Sequence, residues 1–309
     1  MSTSRSTLLP LAAVSTTLVL WASAFVGIRH LGGTVPPGAL SLGRLVVMVL
    51  ALGALLAQRG SVQVPTRGEW PLVLAGGIGW FSIYNLTLNA SERRIDAGTA
   101  ALVVQVGPIL VALLATVFLG ERLTRWSLLG MAIGFAGVAV IADASGLDAN
   151  DLAGVALALV AAAGFAVGVL TQKRLLTRMH ALDLTFWFTV VGAAGCLPWA
   201  GQLAHVTATA TASDLAWIGY LGIFPSAVGF VLWAYALSHA DAGRFSQSTF
   251  LVPFLTALMA WVLLDEVPPA LAFLGGAMCI GGVLISRRKI AEKTVAADVE
   301  DAIAAPSQG

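Results

Sequence analysis

Apolar residues come in long, nearly unbroken runs along this chain, and polar residues gather between them. Ten runs can be marked: 8–28, 37–57, 70–88, 97–120, 126–142, 152–172, 184–203, 215–237, 245–264 and 267–286. An α-helix needs roughly 20 apolar residues to cross the hydrocarbon core of a bilayer. Each run therefore predicts a membrane-spanning helix, because a lipid-exposed strand leaves backbone groups unpaired. The short apolar/polar alternation of an outer-membrane barrel is not seen in the sequence. The first run reads as an uncleaved helix: a secretory signal has an apolar core of about 7–15 residues, whereas this run continues through Trp21 and Phe25 to Arg29.

The chain repeats itself. Asp96-Ala-Gly-Thr99 opens a run that carries Pro108 near its middle and closes at Gly120-Glu121. Asp241, Pro253 and Glu266 stand 145 residues after Asp96, Pro108 and Glu121, and Gly275 and Gly282 follow Gly130 and Gly137 by the same offset. This divides the chain into a first repeat over 8–142, a second over 151–286 and a tail over 287–309. Five helices per repeat is an odd number, so the second must enter the membrane from the opposite side. The expected fold is all-α, with ten transmembrane helices as two inverted five-helix repeats.

Charge sets the orientation. Thirteen Lys and Arg, from Arg5 to Lys293, fall in the segments on one side of such a bundle, and only Arg29, Arg93 and Arg94 fall in those on the other. The positive-inside rule then puts both termini in the cytoplasm, with the protein in the cell's inner or plasma membrane. Composition agrees: 58% hydrophobic and 11% charged residues, with mean hydropathy +0.88, exclude an ordinary soluble domain, which carries about 25% charge. A net charge of +1 gives no bias toward nucleic acid. Cys196 and Cys279 both lie in apolar runs, as packed thiols do.

Trp21-Ala-Ser-Ala-Phe25 in the first helix, Arg44 early in the second, and the repeated proline with its Gly-Glu-like end and glycine-rich next helix together resemble the EamA-type families of the drug/metabolite transporter superfamily. The likeness covers residues 8–286, with Asp265 a departure where the counterpart of Gly120 is expected. The resemblance implies two inverted five-helix repeats and a central cavity lined by helices one, three, four, six, eight and nine. It also implies export or exchange of small metabolites such as amino acids.

Several residues are candidates for such a cavity. A proline inside a helix removes a backbone hydrogen bond and crowds the carbonyl four residues back. Pro108 should free the carbonyl of Val104 and Pro253 that of Thr249, as hinges or as static kinks. Gln105 shares a helix face with Ala101 and Pro108, and the counterparts of Ala101, Gln105 and Pro108 are Ser246, Phe250 and Pro253 in turn. As an amide in an apolar run it faces either substrate or a neighbouring helix. Gln247 adds polar capacity at the start of helix nine. Trp80, Tyr84 and Asn85 in helix three, Phe230, Trp233 and Tyr235 in helix eight, and Trp21 in helix one offer an apolar wall with a few polar groups. Packing or interfacial anchoring is the competing reading. Arg44 is the one formal charge inside the ten runs; it either anchors structure at the outer end of its helix or binds a substrate carboxylate.

No Asp or Glu lies mid-run, which argues against a proton relay or a cationic-drug pump built on a buried carboxylate. There is no nucleotide-binding loop and no nucleophile elbow, so an ATP-driven pump or a hydrolase is not expected. The sequence thus predicts a secondary, alternating-access carrier of small polar metabolites, amino-acid-like compounds first, and not an enzyme. Efflux of hydrophobic drug-like compounds is the alternative, and a non-transporting membrane sensor or enzyme a more distant one. Expected partners are a small-molecule substrate and membrane lipids, with no cofactor, metal or nucleic acid. Spacings such as Gly130-x-x-x-Gly134 suit close packing within a monomer or a dimer contact.

Overall fold

The computed structural model describes residues 3–95, 100, 103–144, 152–264 and 270–286. Expectations that fall on Asp96, Ala101, Asp265, Glu266 or the tail 287–309 lie outside the described residues. Among the described residues all regular structure is helical: α1 (Thr3–Leu31), α2 (Pro37–Arg59), α3 (Trp70–Ser91), α4 (Val106–Phe118), α5 (Arg125–Ala144) and α6 (Leu152–Leu175) come first. α7 runs Ala181–Gly195 and continues, bent by 54°, into Leu197–Thr209. α8 (Ala212–Ser238) follows. α9 (Leu251–Leu264) is preceded by a helical turn over Ala242–Ser246 and a 3-10 turn over Gln247–Phe250, and α10 (Ala270–Ser286) completes the set.

Five of these helices are long and apolar enough to cross a membrane, and the bent α7 pair makes a sixth. Other predicted spans are shorter apolar helices, and local chemistry shows why. Pro198 has no N–H for the carbonyl of Ala194, and α7 bends there. Gln105 is a turn residue, so α4 starts only at Val106. Large apolar side chains also point outward, as with Leu50, Val117, Val262 and Leu284, each more than 60% exposed. Such a surface belongs in hydrocarbon.

Small residues let the helices approach closely. α5 packs on α10 through paired glycines: a Cβ on Gly137 would stand 2.6 Å from the Gly275 carbonyl oxygen, and one on Gly282 2.6 Å from that of Gly130. Each glycine thus meets the counterpart of the other. α3 and α8 share a second oddity. Gly77–Tyr84 and Gly222–Val228 are π-helical, again 145 residues apart. In α8, Pro225 cannot donate to the Leu221 carbonyl, and the Ser226 hydroxyl donates to it instead at 2.7 Å. In α3, the Asn85 amide donates to the Phe81 carbonyl at 2.9 Å and the Trp80 carbonyl at 3.4 Å.

The connections gather at two ends. At one, the strap after α2 lies on the start of α7: Asp183 Oδ1 accepts from Arg59 at 2.6 Å and from the Gln63 N–H at 2.9 Å. At the other, Arg93 donates to the Val35 carbonyl at 3.0 Å, and Ser91 to that of Gly154 at 2.8 Å.

Candidate functional site

Three layers stack between these ends. The middle one is aromatic. Trp21, Trp80, Phe230 and Trp233 converge there from α1, α3 and α8, with ring centroids 4.8 Å apart for Trp21–Trp233, 5.3 Å for Trp21–Phe230 and 5.0 Å for Trp80–Phe230. Phe165 of α6 and Phe245, just before α9, complete the cluster: Phe165 lies 5.2 Å from Trp80 and Phe245 4.5 Å from Trp233. These two escape a sequence reading because an aromatic in an apolar run looks the same facing lipid or core. Trp21 Nε1 donates to the Pro225 carbonyl at 3.1 Å, exploiting the loosened π segment, whereas buried Trp233 Nε1 has no hydrogen-bond partner.

Beside this layer two helix breaks meet. Gln105 closes the turn before α4, and its Nε2 donates to the Thr249 carbonyl at 3.3 Å. That carbonyl is the one Pro253 cannot serve. The Thr249 hydroxyl returns a hydrogen bond to Gln105 Oε1 at 3.3 Å. Pro108 and Pro253 are both buried and each is the third residue of its helix, α4 and α9. In a first turn the missing N–H costs little. Each proline therefore marks where a helix restarts.

Other candidates stand apart. Phe250 packs among Ala112, Met131, Val138 and Cys279, away from the aromatic cluster. Tyr235 lies at the end of α8 against His239, ring centroids 4.7 Å apart. Gln247 is fully buried and donates to Ser127 at 3.0 Å, leaving its Oε1 without a partner. Asn85 spends its amide hydrogens on α3 itself. Half-buried Tyr84 packs at the edge of the core beside it.

One end of the bundle is laced by charge onto backbone. Gly120, in the left-handed conformation at φ 68°, turns the chain after α4. Glu121 then reaches across, accepting from the Ala242 N–H at 2.6 Å and the Gly243 N–H at 2.9 Å. A carboxylate at helix-start amides is stabilised by both hydrogen bonds and the helix dipole. Asp241 precedes that turn but makes no side-chain cap; Glu121 supplies it from the connection after α4. Nearby, Lys173 of α6 donates to the Leu237 and Ala240 carbonyls at 3.0 and 2.6 Å, closing the end of α8.

The opposite end holds charges with unused capacity. Arg44 is only 8% exposed, and its Nη2 donates to Ser226 Oγ at 3.3 Å while Nε has no partner. Glu92, just past α3, has a buried Oε1 without a partner. Its carboxyl is pushed up to about 7 by burial, against a downward pull from Arg44. Because Glu92 lies beyond the apolar run, a sequence reading passes over it as a loop charge. Ser226 is likewise recognisable only after Pro225 is seen to open the helix.

Comparison with known proteins gives these layers a context. Two stretches, residues 8–142 and 152–288, each match the EamA-like transporter family. A probable terminal-alkyne amino-acid exporter of Streptantibioticus cattleyicolor is 39% identical over 278 residues, covering 90% of this chain and 93% of its own. A probable amino-acid metabolite efflux pump of Escherichia coli strain K12 is 28% identical, covering 87% and 91%. A solved crystal structure with 22% identity superposes with a TM-score of 0.76, covering 93% of this chain and 97% of its own, which shows a shared fold.

Proposed function

The chain belongs to the EamA-like transporter family, a multi-pass membrane transporter and not an enzyme, and from that premise we propose that it is an alternating-access exporter or exchanger of small polar metabolites, amino-acid-like compounds first. The observation that carries this reading is the meeting of two broken helices at Gln105 and Thr249. Carriers built from related halves place their sites where discontinuous helices of the two halves face one another. The inverted five-helix repeat is supported by the crossed glycine contacts of α5 and α10 and by the paired π segments of α3 and α8. Pro108 and Pro253 act as hinges at which α4 and α9 rock.

On this reading both termini are cytoplasmic, the Glu121 end faces the cytoplasm and is shut, and the Arg44 end faces outward. The cargo assignment draws on the amino-acid exporters among the relatives and on the buried, incompletely paired guanidinium of Arg44. The aromatic layer favours a second reading, efflux of hydrophobic drug-like compounds.

Counterflow in proteoliposomes preloaded with a mixed amino-acid pool tests the proposal, with Gln105→Leu beside the wild type. Labelled amino acid should accumulate in wild-type vesicles and at least about tenfold more slowly in the variant, which leaves the Thr249 carbonyl unserved. Folded wild-type protein that shows no counterflow with any amino acid, yet exchanges hydrophobic amines, would replace the first reading by the second.

A further inference from the structure

Around Arg44 the neutral polar groups are largely spoken for. Asn89 donates to Ser41 Oγ at 3.0 Å, Ser41 to the Pro37 carbonyl at 2.8 Å, and Ser91 to the Gly154 carbonyl at 2.8 Å. Ser226, which accepts from Arg44, spends its own proton on the Leu221 carbonyl. Two opposite charges are left over: a guanidinium with an unused Nε and a carboxylate with an unused buried Oε1. Each feels the other's charge, yet among the described residues they form no ion pair. Buried charges left incompletely paired are costly, several kcal/mol by general experience. They persist where something completes them.

We infer that Arg44 and Glu92 are the two poles of one subsite for the head group of a zwitterion, Arg44 Nε donating to the ligand's carboxylate and Glu92 Oε1 accepting from its ammonium. This rests on the amino-acid reading of the cargo and deepens it, for it assigns the ammonium pole to a residue outside every apolar run. A single anion does not fit as well, since it leaves Glu92 buried beside added negative charge. A hydrophobic cation leaves Arg44 Nε unused. An α-amino acid completes both, and its side chain is then free to lie toward the aromatic layer through Tyr84 and Trp80 of α3, the helix that ends just before Glu92.

The test uses full-length protein in proteoliposomes and three probes of one shape: norvaline, norvalinamide, which lacks the carboxylate, and pentanoate, which lacks the ammonium. Wild-type counterflow should favour norvaline over either analogue by about tenfold or more, the range that loss of a charge-assisted hydrogen bond produces. Glu92→Gln should lose the discrimination against pentanoate and Arg44→Gln that against norvalinamide. A purely structural role would lower transport of all three alike and leave the ratios unchanged. A monodisperse Glu92→Gln protein that still rejects pentanoate as the wild type does overturns the subsite while leaving amino-acid transport standing. Wild-type vesicles that exchange hydrophobic amines but no amino acid overturn the cargo reading, and the subsite with it. If Glu92→Gln does not fold, thermal unfolding of the wild type decides: norvaline should raise the midpoint more than either analogue, and equal shifts reject the proposal.

Discussion

The two ends of the bundle handle buried charge in opposite ways. At the Glu121 end, both carboxylate oxygens accept backbone N–H groups of Ala242 and Gly243, and Lys173 donates to two carbonyls of the α8–α9 corner. The atoms there that lack partners are the neutral amide of Gln172, the amide oxygen of Gln247 and one oxygen of Asp183, whose other oxygen takes two donors. At the Arg44 end, a guanidinium and a carboxylate each keep an atom in reserve. A charge satisfied by the chain itself ties elements together. A charge left short can be completed by a ligand. On the proposed reading the first arrangement is a latch and the second a binding site.

Four changes would break or sharpen that contrast. The largest effect is expected at the unsatisfied end: Arg44→Ala should lower amino-acid counterflow about a hundredfold or more, since truncating one member of a buried charge contact costs roughly 2–5 kcal/mol. Arg44→Lys should restore little, because an ammonium cannot mimic the planar fork; vesicle uptake reads both. Next, Glu121→Ala should weaken closure by about 1–2 kcal/mol, the range for losing a helix-start cap. That appears as faster maleimide labelling of a cysteine introduced at Ala112, against Gly243, with the fold retained by circular dichroism.

Third comes pH. Norvaline's ammonium needs ionised Glu92, whose carboxyl titrates near 7, so the ionised fraction rises as pH climbs through that value. Arg44 of α2 and Tyr84 of α3 are the other ionisable groups sharing its field, and neither type ordinarily titrates between pH 6 and 8. The half-saturating norvaline concentration should therefore fall up to about tenfold from pH 6 to pH 8, and Glu92→Gln should flatten the profile. The smallest effect belongs to Lys173→Met, which removes one part of an already laced corner. A drop of a few degrees in unfolding midpoint, roughly 1 kcal/mol, with near-normal transport is expected.

Much of the architecture is legible in the residues alone. Apolar runs mark helices because nothing else satisfies a backbone in lipid, and the 145-residue offset of Asp241, Pro253 and Glu266 recurs in the starts of the π segments at Gly77 and Gly222. Trp21, Trp80, Phe230 and Trp233, picked by type and position, do converge. What is not legible depends on contacts far apart in sequence. Phe165 and Phe245 join the cluster only through helix packing. Gln105 meets Thr249 across 144 positions. The partner of Glu121 is a pair of backbone amides, which carry no sequence signature. Helix length is the other shortfall, because Pro198, the Gln105 turn and the 3-10 stretch Gln247–Phe250 interrupt runs that composition alone treats as continuous. Phe250 and Tyr235 illustrate the reverse problem. Their type and depth suit a cavity wall, yet each packs away from the aromatic layer.

The alternating-access mechanism we propose requires a ligand at the Arg44 end to release the latch at the Glu121 end. Ala112 is buried against Gly243, directly beneath that latch. In Ala112→Cys protein reconstituted in proteoliposomes, the labelling rate by an impermeant maleimide reaching the Glu121 side should be low without substrate. It should rise several-fold with norvaline, toward the rate of the Ala112→Cys, Glu121→Ala double variant. A rate that norvaline leaves unchanged, in protein that carries out norvaline counterflow, would contradict the coupling of the two ends.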